Sequence, residues 1–499
     1  MKRRDFIRSA SIGSSLLLNG GLSFLTQSCQ HSMDMDASRS YTAVVEGDFN
    51  TAFQLPLQSS AKNSNLSPQY ITTQIFRNKN TQALGYTNMF LGPTLRANNG
   101  ESVAIRLTNQ LSEETNIHWH GLIIPPIMDG HPKNIIPPGG SFNYQFTISQ
   151  RAGTYWYHPH PHGTTGSQVY RGLAGFFIVN DAEEIALNLP AGNYEIPFLI
   201  QDKRLAMDSS LRYSPTMSDT MTGYLGDTVM VNGLSAPYMN IESRWYRLRV
   251  LNGSNARLYN LAFSNNAGFY VIGSDGGLLQ TPERVNSILL APGERADLLI
   301  DFTNYTTGTE LFLLSNVFSN GGVQGEQSFK ICKFNVVNSV TDNFTLPSTL
   351  STITRMLPDS SIRTRNFDIG NMMNGNHGSH ATGGSSSPMH TINNKIYSMD
   401  RIDETVRAGE TEVWEFDNSK GDEIHPMHIH GLQFQVLGRT GGRGIITPIE
   451  KGWKDTVLCM PGEKVKVILT FPYSQGTFVL HCHNLEHSDD GMMLNYTIQ

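Results

Sequence analysis

One short plan occurs three times in this chain, and that repetition limits the fold more than any other feature. "PPGGSFNYQFTISQRAGTYWYHPH" (Pro137 to His160), "APGERADLLIDFTNYTTGTELFLLS" (Ala291 to Ser315) and "MPGEKVKVILTFPYSQGTFVLHCH" (Met460 to His483) each run from a Pro-Gly turn through an alternating strand to a Gly-Thr turn and another strand. A second shared element precedes each: "GESVAIRLTNQ" from Gly100, "ESRWYRLRVLNGSNAR" from Glu242 and "GETEVWEFDN" from Gly409. Three copies at this spacing predict three tandem β-sandwich or barrel domains and not one large sheet. They are placed at 40–182, 183–340 and 341–499, which agrees with about 150 residues per domain. An all-β chain is expected, and 46 glycines and 23 prolines suit its many turns.

The copies differ where chemistry is expected. Five residues after Gly153 stands His158, and five after Gly476 stands His481, but five after Gly308 stands Leu313. The middle copy is therefore read as a domain without ligands. The outer copies hold "HWHG" (His118, His120), "HPHPHG" (His158, His160, His162), "HPMHIHG" (His425, His428, His430) and "HCHNLEH" (His481, His483, His487). Alternate side chains of a strand share a face, so each H-x-H directs two imidazoles to one side. One such pair is ordinary; four, two in each outer domain at corresponding positions, point to metal. In "HCH" the same alternation sets Cys482 on the face opposite His481 and His483. Cys482 with His425, His487 and Met492 makes the His/His/Cys/Met set of a blue-copper electron-transfer centre, and the eight imidazoles of the four H-x-H pairs suit a cluster of several copper ions.

With these four motifs in this order, nearly the whole mature chain resembles the multicopper oxidase family, bacterial laccases and cuprous oxidases included. The resemblance implies three cupredoxin-like Greek-key β-barrel domains with a trinuclear cluster between the first and third. It implies four copper ions: one type 1, a type 2 ion held by His118 and His428, and a type 3 pair held by His120, His158, His160, His430, His481 and His483. His162 is not a usual ligand. Dioxygen would be reduced to water with electrons taken one at a time from a phenol, an aromatic amine or Cu(I). Asp129, in "IMDGHP", matches the acid this family places near the type 2 copper; its plainer reading is a turn residue before Gly130. Many bacterial members have Glu directly after the type 1 histidine, where this chain has Ser488 and then Asp489, so Asp489 or water is expected on the proton route. Copper-free relatives of the cell-division type fail at the ligand positions, whereas all ten His ligands, Cys482 and Met492 are present here.

The reductant is less constrained. "NMMNGNHGSHATGGSSSPMH" (Asn371 to His390) brings Met372, Met373 and Met389 with three histidines in a Gly/Ser/Asn background. It reads either as a Cu(I)-handling segment or as an interdomain linker. Before His425 stand Asp422 and Glu423, where a thioether would suit a dedicated Cu(I) port; a carboxylate there suits a phenol that loses a proton with its electron. A laccase-like oxidase is the first reading and a cuprous oxidase for copper tolerance the alternative.

Arg3 and Arg4, followed by Phe6, Ile7 and a short apolar stretch, resemble a twin-arginine export signal over residues 1–29. An exported, periplasmic protein handled by the twin-arginine machinery is expected, with Cys29 a possible lipid anchor. No other run has the length of a membrane-spanning helix. Cys332, Cys459 and Cys482 are odd in number, so no complete disulfide framework is possible, and Cys332 and Cys459 are read as buried thiols. A net charge of -6 without long runs of either sign leaves no footprint for nucleic acid.

Overall fold

In the computed structural model, which describes residues 46–76, 78–371 and 390–499, strands dominate and helices are confined to short turns between them. Alternation sets which side of each strand is buried. In Ser102–Thr108 the side chains of Val103, Ile105 and Leu107 turn inward while their neighbours are more exposed. Three large apolar cores result. One gathers Leu95, Val103, Trp119, Tyr157 and Phe177, a second Phe198, Leu248, Leu298, Leu313 and Phe334, and a third Trp414, Phe434, Val467, Leu480 and Leu494.

Each core lies between sheets of mixed direction. Around the first are a five-stranded sheet ending in Gly153–His158 and His118–His120 and a three-stranded sheet built on Ser102–Thr108. Seven- and six-stranded sheets enclose the second, and six- and five-stranded sheets the third. The strand Thr51–Ala52 joins the middle sheet by parallel pairing with Pro237 and Tyr238, although it precedes the first core in sequence. Leu350 also packs into the middle core. Described residues from Glu46 onward form one compact unit.

The repeat is visible in register. His118 lies opposite His158 in the first region and His428 opposite His481 in the third. At the matching place in the middle region Phe263 faces Leu313, and both are buried. One strand pair has thus been used twice to hold imidazoles and once to fill a core. Cys332 and Cys459 are free, buried thiols, as expected. Among the described residues no helix is long and apolar enough to cross a membrane.

Candidate metal centre

The histidine faces of the first and third regions meet. His118 Nε2 lies 3.3 Å from His428 Nε2, and His481 Nε2 lies 3.2 Å from both His160 Nε2 and His430 Nε2. The rings interleave, His118 stacking on His430 at 3.6 Å between centroids and His120 on His428 at 3.7 Å. The ring of His483 lies 4.9 Å from His120 and 5.4 Å from His158. All eight imidazoles are buried. His118/His120/His158, His118/His428/His430 and His160/His430/His481 each bring three donor atoms within 4.8 Å of one another.

Hydrogen bonds show which ring nitrogen is left for a metal. The Nδ1–H groups of His118 and His428 donate to the carbonyls of Asp129 and Asp455, each at 2.8 Å. Those of His158 and His481 donate to the carbonyls of Pro159 and Cys482, at 2.9 and 2.8 Å. His430 Nδ1–H donates to Asp129 Oδ2 at 2.8 Å. Each of these rings keeps the Nε2 lone pair for the cluster. His120 is reversed: its Nε2–H donates to Asp455 Oδ1 at 2.9 Å. Among the described residues, His120 Nδ1, His158 Nε2 and both ring nitrogens of His483 have no hydrogen-bond partner. So many unpartnered buried nitrogens in one place are costly unless an ion satisfies them. Burial holds the pKa values of all eight below the ordinary histidine range, so the rings are neutral, the form that binds metal.

On the other face of the same strand, Cys482 Sγ lies 3.6 Å from His425 Nδ1 and 3.7 Å from His487 Nδ1. His487 is carried by the short helix Leu485–Asp489, whose cap Asn484 accepts from the Glu486 N–H. Its Nε2–H donates to the Met221 carbonyl at 2.9 Å, which frees Nδ1 for the site. Met492 is buried in the same core as Cys482, and its carbonyl accepts the Cys482 N–H at 3.1 Å. Burial pushes the Cys482 thiol above its usual range, so a metal has to displace its proton on binding.

Of the acids singled out in the sequence, Asp129 is at the cluster: fully buried, with Oδ1 3.7 Å from His118 Nδ1, and raised in pKa by burial. Asp489 is turned elsewhere. Its carboxylate accepts the backbone N–H groups of Thr165 and Gly166 at 3.1 and 2.8 Å, clasping the first region to the third. It is Ser488 Oγ that approaches His481 Nδ1, at 3.4 Å. His162 is exposed, its ring 5.0 Å from Tyr397. Nothing in "WKDTV" marks Asp455 as a site residue, because the stretch looks like any strand start; only the folded chain brings it to His120.

A cleft opens beside His487, lined by Met221, Leu225, Asp422, Glu423 and Ile424 among others. Met221 comes from the middle region, and no local pattern marks it. His390, at the end of the Met/His segment, is buried and stacks on His487 at 3.8 Å. Its Nε2 bonds Glu423 Oε2 at 2.8 Å and its Nδ1 lies 3.3 Å from Asp490 Oδ2. Burial opposes protonation of His390, but these two carboxylates raise its pKa above the ordinary value. Met372, Met373 and Met389 lie outside the described residues.

Comparison with known proteins agrees with this donor set. Residues 68–184, 210–329 and 368–499 each match a family model described as multicopper oxidase. The multicopper oxidase mco of Staphylococcus haemolyticus is 35% identical over 436 residues, 87% of either chain. A laccase of Bacillus subtilis is 33% identical over 472 residues, covering 83% of this chain and 89% of its own. The crystal structure of the McoA multicopper oxidase of Aquifex aeolicus superposes with a TM-score of 0.82 at 33% identity, covering 91% of this chain and all of its own. The chain belongs to the multicopper oxidase family. It is an oxidoreductase that uses oxygen, and its cofactor is copper.

Proposed function

We propose that this chain is a laccase-like oxidase that takes electrons singly from a small phenol or aromatic amine beside His487 and passes them to dioxygen, which is reduced to water. In this reading His425, Cys482, His487 and Met492 hold a type 1 copper. His118 and His428 hold a type 2 copper, and His120, His158, His160, His430, His481 and His483 a type 3 pair, four ions in all. When bound, copper supplies the one-electron acceptor at Cys482 and the electron pool that dioxygen requires at the histidine cluster.

The observation that carries the reading is the strand end His481–Cys482–His483. One residue faces the two-histidine site at 3.6 and 3.7 Å, and the histidine before it reaches the interdomain cluster at 3.2 Å. A single peptide unit therefore joins the two donor sets. Asp129 stands where a buried acid can hold a proton for oxygen, and its carboxylate also orients His430. Glu423 is engaged by His390, which covers one face of His487. Asp422 lies exposed in the cleft lining, where a carboxylate can take the proton of a phenol.

A second reading, Cu(I) as the reductant, is favoured by Met221, a thioether-bearing residue that lines the cleft together with the two acids. The Met372, Met373 and Met389 segment would serve the same reading. A copper-free scaffold is disfavoured by the complete donor set. Arg3 and Arg4 support export to the periplasm, with Cys29 available for acylation. The test compares copper-loaded protein supplied with a phenol and with Cu(I) at equal oxygen. Blue protein that consumes oxygen faster with the phenol supports the first reading, and faster uptake with Cu(I) replaces it with the second. Protein that stays colourless sinks both.

A further inference from the structure

The middle region holds none of the histidines, yet its Pro-Gly turn is the one that reaches them. Gly293, with φ of +82°, lies so close that a Cβ there would meet the His483 ring at 3.0 Å. Two residues on, Arg295 is fully buried with all its N–H groups placed. Nε donates to the Thr154 carbonyl at 2.9 Å, Nη1 to the Gly293 carbonyl at 2.7 Å, and Nη2 to the Asp275 carbonyl at 3.0 Å. The guanidinium also closes a two-pronged ion pair on Asp455, Nη1 meeting Oδ1 at 2.8 Å and Nη2 meeting Oδ2.

Asp455 in turn serves two histidines. Its Oδ1 accepts His120 Nε2–H at 2.9 Å, and its carbonyl accepts His428 Nδ1–H at 2.8 Å. His120 is the ring whose proton sits on Nε2 and whose Nδ1 is left without a partner among the described residues. Thr456 Oγ1 also lies 3.2 Å from His120 Nε2, but its hydroxyl donates to Asp455 Oδ1 at 2.9 Å, so the acceptor that holds this tautomer is the Asp455 carboxylate. A carboxylate held by one prong could swing away from Nε2; a carboxylate locked by a planar fork cannot.

We infer that Arg295 is a positioning residue for the copper cluster: by clamping Asp455 it fixes the tautomer and orientation of His120. The inference rests on the reading that the eight histidines hold copper. It gives the ligand-free repeat a duty beyond spacing the outer two. Asp275 reinforces the clamp, accepting the backbone N–H groups of Arg295, Asp455 and Thr456 at 2.8, 3.3 and 3.2 Å. Lys454 bridges Asp275 and Glu294, both at 2.9 Å, within the same buried network, and among the described residues its ammonium bonds these two acids and no histidine.

The experiment compares Arg295→Lys, which keeps the charge but loses the fork, with Lys454→Met and wild type. Copper-loaded proteins are titrated with a competing chelator while total copper and the blue band are followed, and the metal-free forms are melted. Arg295→Lys is expected to release cluster copper at about 10- to 100-fold lower chelator, the usual effect of losing an outer partner of a ligating histidine. Its blue band should follow the wild-type curve. Lys454→Met should lower the melting temperature of the metal-free protein without this selective release.

Should Arg295→Lys not fold, Arg295→Gln is used, whose amide N–H can still donate to Asp455 but cannot form the two-pronged fork. The same selective loss is expected. An Arg295 variant that titrates like wild type overturns the inference, as does parallel loss of blue and cluster copper, or a Lys454→Met variant that behaves like Arg295→Lys. Wild-type protein that takes up no copper beyond the blue site overturns the underlying reading as well, which separates the two failures.

Discussion

Replacing Asp129 by Asn separates holding the cluster from feeding it protons. The backbone carbonyl of Asp129 accepts His118 Nδ1–H at 2.8 Å, and this bond survives any side-chain change. Its Oδ2 accepts His430 Nδ1–H at 2.8 Å, which an amide oxygen can replace. Asn therefore keeps both histidines oriented and retains copper. What it loses is the acid. The carboxyl is fully buried, burial raises its pKa, and Oδ1 has no hydrogen-bond partner among the described residues, so the group can carry a proton to the cluster. Losing such an outer group costs about 10- to 100-fold in activity, or about 1.4 to 2.7 kcal/mol of barrier. The blue band should not move, because none of the bonds of Asp129 reaches His425, Cys482 or His487. Oxygen uptake at saturating reductant, normalised to copper content, gives the result. Turnover equal to wild type would refute the reasoning and leave Asp129 a turn residue. Loss of copper would show that the amide cannot substitute for the carboxylate in orienting His430.

Further outcomes are expected. Cys482→Ser should abolish the blue thiolate band while the cluster still takes up copper, read by absorbance and metal analysis; a retained intense blue band contradicts the assignment. Met221→Leu keeps the apolar wall of the cleft and removes its thioether, so Cu(I) oxidation should slow several-fold while phenol oxidation holds, measured as kcat/KM for each; equal changes would dismiss the thioether. Lys203 is buried over the Tyr170 ring, and burial lowers its pKa to about 7. The unfolded lysine keeps its proton up to its ordinary 10.5, so the folded state is penalised fully below about 7 and regains stability as pH rises between the two values. Lys203→Met should flatten that rise and lift the melting temperature at pH 6; identical calorimetric profiles would contradict it.

Much of the site was legible because its logic is local. A period of two reports which side chains share a face, and the repeat reports which strands correspond, so the sequence alone groups His118 with His158 and His428 with His481, the pairs that lie opposite each other in register. The same period separated Cys482 from its flanking histidines. What escaped has no local mark. Asp455 and His120 are 335 residues apart, and Arg295 lies 160 residues from Asp455, in a repeat that looks empty of chemistry. Met221 reaches the cleft from that same repeat. Beside His487 the sequence offers Asp489 or water for the proton route. On the short helix Leu485–Asp489 a shift of one residue turns a side chain by about 100°, so it is Ser488 that approaches His481 while Asp489 caps backbone N–H groups of the first region. Thr51–Ala52 shows the same limit for the fold: a two-residue strand has too little pattern to reveal which sheet it joins.

In the proposed reading one strand joins an electron-accepting thiolate site to a cluster that completes the reduction of dioxygen. The most direct measurement is electron stoichiometry: reductant oxidised against oxygen consumed in a closed cell, with the blue band and peroxide followed together. Four one-electron oxidations per dioxygen are expected, with no free peroxide and a blue band that bleaches during turnover and returns when the reductant is spent. Two electrons per dioxygen with peroxide released, or oxygen uptake that leaves the blue band untouched, would contradict it.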